Sequence, residues 1–437
     1  MNINTLRKKK IGFVSLGCGK NIVELEKMIS AIKEFGMEIT NDPSQANIML
    51  INSCAFLGIT RKEGFDIIKE FQPLREHNLE KVIVTGCLPN YKLQDISADL
   101  QGVDLIVTQD RNINIVQEIA SLYGLSTKCQ YDGISRVLTT PQHYAYFRIA
   151  DGCNNFCSYC TIPYITGRYK SVPMDRLIAE AKLLAQKGTK ELIFVAQDIT
   201  TYGIDIYGES RLIELIHNIS GIDGIERIRL VYCYPEHITD ELINEIKTNP
   251  KVCHYIDIPL QHISNTILKK MNRQNTYENT IRLINKFRTE IPDMTIRSTF
   301  ILGFPTETEA DFQLLCDFVR EYKLNQLGFF AYSREKGTPA YNLKPQISQK
   351  VKEQRVQELA NIQYQIVQEH NQSLLGKIFT AVVDFTSDKE SQLHCDFQMP
   401  ESDNCVYVRV GNLPIGSQHK VKLVAIDGYD FIGEIVI

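Results

Sequence analysis

The chain has 437 residues, 43% hydrophobic and 23% charged, with a formal net charge of −4 at pH 7. That length holds two or three domains with cores of their own, and the composition is ordinary for a soluble globular protein. The charge excludes wholesale attraction to nucleic acid or an anionic membrane surface, while leaving room for a local basic patch. In chain order, the opening MNINTLRKKKIGFVSLGC imitates a signal peptide. Its apolar run after Lys10 is about six residues, short of the roughly 7–15 required, so Arg7 to Lys10 reads as a solvated tail. Residues 8–125 then alternate short apolar runs with amphipathic stretches. KIGFVSLG, ANIMLINS, KVIVTG and VDLIVT read as buried parallel strands, with helices over Glu24 to Phe35 and Lys62 to Phe71 between them. This is the pattern of an open α/β sheet.

Three of those strands end in a cysteine: Cys18, Cys54 and Cys87, spaced 36 and 33 residues apart. Ligands of such sheets bind at the carboxyl ends of the strands, and adjacent strands are about 4.8 Å apart. Three neighbouring ends therefore bring three thiols to one point. Each cysteine alone also reads as a small buried hydrophobe, but three at the same structural position favour a metal cluster. Gly17 and Gly86, just before two of them, suit close backbone approach to an inorganic core. Residues 126–140, polar and without a sustained period, read as a linker.

From 141 to 373 strand–helix alternation resumes. YAYFRIA, ELIFVAQ, ERIRLVY, HYIDIPL, TIRSTFIL and QLGFFAY read as strands, with helices beginning near Met174, Ser210, Thr239, Tyr277 and Thr308. Six strand–helix units make a partial (β/α)6 barrel with its chemistry at the carboxyl ends of the strands. Directly after the first strand comes DGCNNFCSYC, which places Cys153, Cys157 and Cys160 in a C-x3-C-x2-C cluster. One helical turn over Cys157 and Cys160 puts their thiols on one side, about 5–6 Å apart at Cβ. Three soft thiolates with no fourth in reach suit an iron–sulfur cluster with one open iron. A structural zinc site wants four ligands, yet there is no second C-x2-C and His143 sits across the strand. By position, Gln197 and Asp198, Pro259 to His262, and Gly303 to Thr308 line the strand ends. Thr306 and Thr308 also read as helix caps, and Arg168 and Lys170 as either carboxylate binders or an exposed basic loop.

The long stretch 346–373 reads as an amphipathic helix ending near Gly376. Five short β runs follow in 374–437, the pattern of a small antiparallel barrel of the OB type. That segment carries five basic residues (Lys377, Lys389, Arg409, Lys420, Lys422) and nine acidic ones (Asp384, Asp388, Glu390, Asp396, Glu401, Asp403, Asp427, Asp430, Glu434). The balance disfavours RNA and suits a basic protein partner. Cys129, Cys233, Cys253, Cys316, Cys395 and Cys405 have no ligand-spaced partner and read as packing or surface thiols. Twelve cysteines so spread do not make a disulfide scaffold and fit a reducing cytoplasm. No apolar run approaches the ~18 residues of a membrane helix.

The C-x3-C-x2-C loop with Tyr159 before its last cysteine resembles the radical S-adenosylmethionine (SAM) superfamily. The C-terminal segment resembles the TRAM domain. Together with the N-terminal three-cysteine α/β domain they resemble the radical-SAM methylthiotransferases over essentially the whole chain. The resemblance implies two 4Fe-4S clusters. Cys153, Cys157 and Cys160 would hold the one that cleaves SAM into a 5′-deoxyadenosyl radical. Cys18, Cys54 and Cys87 would hold an auxiliary one carrying the sulfur to be delivered, which a first SAM methylates. It also makes Gln197, Gln261, Gly303, Glu307 and Arg168 candidates for SAM contacts, and it calls for an external electron donor. SLGCGKN around Cys18, AQDITTYGIDIYG and IDIPLQHISNTILKKMNR are similar to the branch acting on the β-carbon of an aspartate in the twelfth protein of the small ribosomal subunit. Gly19 stands where that branch usually has Pro, and Glu24 where Asp is usual. The sister branch modifies an adenosine beside the anticodon of tRNA. An iron–sulfur carrier without catalysis is a third reading, against which the barrel argues, since a carrier needs no SAM pocket.

Overall fold

The computed structural model describes residues 2–91, 96–129 and 131–436. They divide into two compact units, Met1–Thr139 with Tyr146–Phe156 and Cys160–Leu184, and Thr140–Ala145 with Cys157–Tyr159 and Ala185–Ile437. The first unit holds a five-stranded sheet of β1 (Lys10–Ser15), β2 (Glu38–Ile39), β3 (Ile48–Ser53), β4 (Lys81–Gly86) and β5 (Leu105–Ile106) in the order β2-β1-β3-β4-β5. All pairings are parallel. Alternate side chains of β3 and β4 enter cores on opposite faces. Ile48, Leu50 and Ile83 pack with Leu25, Met28 and Ile32 of the helix Gly19–Phe35, while Met49, Ile51, Val82 and Val84 pack with Ile68 and Leu88. Burial on both faces is why these strands read as unbroken apolar runs. β2 was not foreseen, because two residues at a sheet edge carry no periodicity.

The polar stretch 126–140 is more than a spacer. Arg136 is fully buried, donating through Nη1 to Glu180 at 2.8 Å and pairing through Nη2 with Glu26 at 2.5 Å, while Lys27 holds the other oxygen of Glu180 at 2.7 Å. A buried cation is tolerated only when paired in this way, and that pairing ties the segment to the rest of the first unit.

β6 (Tyr144–Arg148) leads a second sheet with β9 (Glu191–Val195), β10 (Arg227–Leu230), β11 (Val252–Asp257), β12 (Thr295–Leu302) and β13 (Gln326–Ala331), once the short pair β7 (Ala150–Asp151) and β8 (Lys170–Ser171) is passed. The order β13-β12-β11-β10-β9-β6 follows the chain, and β9 to β13 pair in parallel. The sheet is open, as a partial barrel requires. Helices Met174–Gln186, Leu212–Ser220, Asp240–Thr248, Tyr277–Glu290 and Glu309–Tyr322 alternate with the strands. The long helix Gln349–Leu374 reaches from Glu307, which Arg355 grips at 2.5 Å, to Tyr429, whose carbonyl accepts from Asn371 at 3.1 Å.

The C-terminal strands β14 (Ile378–Thr386), β15 (Ser391–Cys395), β16 (Val406–Val408), β17 (Gln418–Asp427) and β18 (Asp430–Ile435) close in the order β14-β15-β16-β18-β17. The barrel is not wholly antiparallel, since β16 and β18 run parallel. Several of its acidic residues also bond to the sheet beneath it or within the barrel, while Asp388, Glu390, Asp396, Glu401, Asp427 and Glu434 remain exposed. Asp384 bonds His143 and His394 at 2.8 Å and 2.7 Å. Asp396 bonds Arg227 at 2.6 Å, Asp403 accepts from Tyr255 at 2.7 Å, and Glu401 accepts from Tyr144 at 2.6 Å. Asp430 accepts from the Cys405 amide at 2.8 Å. Six acidic residues of the barrel are exposed, beside five exposed basic ones. Asp396, Glu401 and Asp403 join the barrel to the sheet beneath it through these bonds. No helix among the described residues is long and apolar enough to cross a membrane.

Candidate functional site

β1, β3 and β4 are neighbours in the first sheet, and their carboxyl ends deliver Cys18, Cys54 and Cys87 to one place. Gly86 has φ +87°, and a Cβ there would meet Ser53 O at 2.5 Å, so only glycine lets the chain turn from β4 into Cys87. A Cβ on Gly17 (φ +122°) would stand 3.3 Å from Cys54 Cβ. Asn21, 3% exposed, joins the thiols. Its Oδ1 accepts from Cys18 Sγ at 3.9 Å and Cys87 Sγ at 3.8 Å, and its Nδ2 donates to Leu16 O at 3.2 Å and Ser53 O at 3.1 Å. Burial, and then the neighbouring Cys18 and Cys54, pushes the Cys87 thiol far up. A cation that takes up thiolate charge would relieve this burden on Cys87, so the three-thiol donor set fits a metal cluster. Asn21 lies three residues past Cys18, on the first turn of the helix Cys18 introduces, a spacing that would have found it.

Glu24, further along that helix, is buried. Burial pushes its carboxyl up against the pull of Arg148, which it meets at 2.5 Å. Arg148 also faces Asp151 at 3.5 Å, and Glu24 and Asp151 both contribute to the field on Cys87. Gln109 and Asn112 donate to the other Glu24 oxygen at 3.4 Å.

The loop between β7 and β8 carries the second cysteine set. Gly152 (φ +69°) is pressed on Arg168 O, 2.1 Å from where a Cβ would lie, and the Cys153 amide donates to Gly167 O at 3.1 Å. The Asn155 amide points to Cys153 Sγ at 3.5 Å. Arg168, exposed, lays its guanidinium 4.4 Å over the Phe156 ring. Thr161, next to Cys160, donates to the carbonyl of Phe56, two residues past Cys54, at 2.8 Å.

The stretch from Cys157 to Cys160 is a turn rather than the expected helical turn. Phe156 takes φ +48°, and the Ser158 amide donates to Met271 O at 2.9 Å instead of to its own chain four residues back. Within the second unit, Cys157 Sγ lies 3.5 Å from Tyr234 Oη and 4.0 Å from Arg273 Nη1. No local sequence signal pointed to either partner, since they come from loops 77 and 116 residues away.

The strand-end candidates occupy the loops after β9, β11 and β12. Gln197 is half-buried beside Asp198, whose carboxylate accepts from the Thr200 amide at 3.0 Å and, by its bond to His237 Nδ1 at 3.2 Å, raises that imidazole. Gln261 takes φ +69° and bonds along β12, its amide to Thr299 O and its carbonyl to the Ile301 amide, both 2.8 Å. His262 Nδ1 accepts from the Ile263 and Ser264 amides, which leaves the ring proton on Nε2, 3.5 Å from Glu307. Glu307, 3% exposed, accepts from the Gly303 and Phe304 amides at 2.9 Å and 3.2 Å through one oxygen and from Arg355 through the other. Both oxygens thus hold the turn after β12. Gly303 itself (φ +67°) has Lys352 Cγ 2.3 Å from the place of a Cβ. Thr308 is the cap of its helix, while Thr306 is not and receives Lys270 Nζ at 2.6 Å.

Comparison with known proteins bears on the whole chain. The radical SAM superfamily model matches residues 147–319, that of uncharacterized protein family UPF0004 residues 10–108, and that of the TRAM domain residues 375–436. Ribosomal protein uS12 methylthiotransferase RimO of Acetivibrio thermocellus is 42% identical, over 98% of this chain and 99% of its own. The protein of the same name from Clostridium tetani is 41% identical over 98% of each. Among solved structures, the radical SAM methyltransferase TsrM of Kitasatospora setae superposes with TM-score 0.55 at 13% identity, over 74% of this chain and 73% of its own. The cobalamin-dependent radical enzyme OxsB gives 0.51 at 12% identity over 84% and 57%. These two share the fold alone.

Proposed function

We infer the function from one premise: this chain belongs to the family of ribosomal protein uS12 methylthiotransferases. It is a radical-SAM enzyme that transfers a methylthio group to uS12, and the acceptor we propose is the β-carbon of an aspartate. When bound, SAM and 4Fe-4S clusters supply the methyl group, the sulfur site and the one-electron cleavage that opens an unactivated C–H bond. The chain's own residues bind and orient them. We assign Cys153, Cys157 and Cys160 to the SAM-cleaving cluster on their spacing and on the superfamily match. Cys18, Cys54 and Cys87 go to the auxiliary cluster. The observation that carries this second assignment is the meeting of three neighbouring strand ends around Asn21.

Gln197, Gln261, Gly303 and Arg168 are assigned to SAM. Glu307 serves it indirectly, by holding the amides of Gly303 and Phe304 in place. An external one-electron donor feeds the clusters, and twelve cysteines so widely spread along the chain suit a reducing cytoplasm. Recognition of the basic ribosomal protein is assigned to the C-terminal barrel by charge complementarity, supported by the exposed acids Asp388, Glu390, Asp396, Glu401, Asp427 and Glu434.

Mass spectrometry of uS12 from a deletion strain tests the assignment. The expected result is loss of the mass increment of one sulfur plus one methylene, restored by the wild-type gene. An undiminished increment would refute it. Nucleoside analysis of tRNA from the same strain, expected unchanged, separates this reaction from methylthiolation of adenosine.

A further inference from the structure

Arg273 is a buried cation that the cysteine assignment leaves unexplained. It is 6% exposed and follows the short helix Asn265–Lys270. Its Nη2 donates to Pro259 O at 2.9 Å, its guanidinium lies 4.1 Å over the Tyr234 ring, and its Nη1 is 4.0 Å from Cys157 Sγ. The Tyr234 hydroxyl is 3.5 Å from the same sulfur. One sulfur thus faces two donors, one of them charged. On the far side Glu236 Oε2 is 3.6 Å from Arg273 Nη2, while its Oε1 accepts from the Asn275 amide at 3.1 Å. Arg273 Nε and Glu236 Oε2 are buried with no hydrogen-bond partner among the described residues.

A neutral thiol is a weak acceptor, and a buried guanidinium aimed at one is poorly compensated. A metal-bound thiolate is an anion and repays both donors with charge-assisted bonds. The arrangement therefore fits Cys157 as a ligand. Hydrogen bonds to cluster sulfurs and net local charge are what set a cluster's reduction potential. Adding one electron makes the cluster more negative. A cation beside it favours that reduced form, and an anion opposes it.

We propose that Arg273, assisted by Tyr234, directs its hydrogen bond at the Cys157 sulfur and raises the reduction potential of the SAM-cleaving cluster, while Glu236 opposes it. Both are positioning residues for electron entry from a one-electron reductant. The inference rests on Cys157 being a ligand of that cluster.

The test uses full-length protein carrying Cys18→Ala, to silence the auxiliary site, reconstituted anaerobically with iron and sulfide. It is titrated with dithionite without SAM, and the reduced cluster is read by electron paramagnetic resonance. Arg273→Gln is expected to lower the equilibrium constant for reduction tenfold or more, a shift of about 59 mV for one electron. Arg273→Lys, which keeps the charge, retains most of the parent value, and Tyr234→Phe falls by less than Arg273→Gln. Glu236→Gln moves the potential upward. Opposite signs from the two members of one pair are not what a merely structural role produces. Unmoved potentials in Arg273→Gln and Glu236→Gln, or shifts of the same sign, overturn the proposal. Should Arg273→Gln not take up iron, Glu236→Gln decides, and no upward shift there overturns it. Cys157→Ala is the separate check: a full iron count in it refutes the ligand assignment itself.

Discussion

Raising the pH loosens the joint between the C-terminal barrel and the sheet beneath it, through His394. That side chain is 2% exposed. Its Nδ1 bonds Asp384 at 2.7 Å and its Nε2 bonds Glu191 at 3.2 Å, with Arg229 on the other Glu191 oxygen at 2.8 Å and His143 on Asp384. Burial opposes the charge on His394, but hydrogen bonds and attraction from Asp384 and Glu191 outweigh it and raise the imidazole to about 9. The unfolded value is near 6.5. The folded value is the higher one, so this stabilisation is fully present below about pH 6.5 and is lost as pH rises through about 9. Between pH 7 and pH 9 the loss comes to about 2 kcal/mol. Glu191 and Asp384 are both held below the usual carboxylate range despite burial, so they stay ionised throughout and add no slope there. Buried thiols such as Cys253, pushed by burial up to about 12, do add alkaline instability, because they ionise only on unfolding. The informative quantity is therefore the difference between wild type and His394→Gln in urea unfolding at pH 7 and pH 9, followed by circular dichroism. Wild type should lose about 2 kcal/mol more than the variant over that interval. Equal losses in the two proteins refute the reasoning.

Asn21→Ala removes a shared acceptor from Cys18 and Cys87 and orphans buried carbonyls. It should cost about 1–3 kcal/mol and slow iron uptake at the N-terminal site, measured by melting temperature and iron content after reconstitution. Gly86→Ala forces a side chain into Ser53 O at a left-handed φ, for about 1–3 kcal/mol of strain, and should lower the iron-to-protein ratio while leaving the Cys153 loop's iron in place. A ratio equal to wild type would dissociate Gly86 from the cluster. Glu26→Gln leaves Arg136 with a single carboxylate in the first unit's interior. The loss should approach the ~3–5 kcal/mol of a broken buried pair, and chemical denaturation within 1 kcal/mol of wild type contradicts it.

What local pattern encodes was legible. Both cysteine sets, the strand ends that carry them, the capping residue Thr308 and the five short C-terminal strands are properties of spacing and period. The edge strand Glu38–Ile39 was not, because two residues have no period. The turn at Ser158 was not, because its amide is claimed by Met271, a residue no nearby signal designates. Arg136 looked like one more polar residue of a linker, since a single basic residue does not announce that its partners are buried acids on distant helices.

The sequence by itself determined which atoms are available for chemistry and in what order they arrive: two trios of thiols, six strand ends and a closed β module. The tertiary structure decided what those atoms face. It set Asn21 between two thiols, put Arg273 and Tyr234 on Cys157, occupied both oxygens of Glu307, and paired Asp384 of the barrel with His143 and His394. The physical reason is that short-range periodicity follows from backbone geometry alone. The field at a side chain comes from whatever charges and dipoles folding brings within a few ångströms, wherever they stand in the chain.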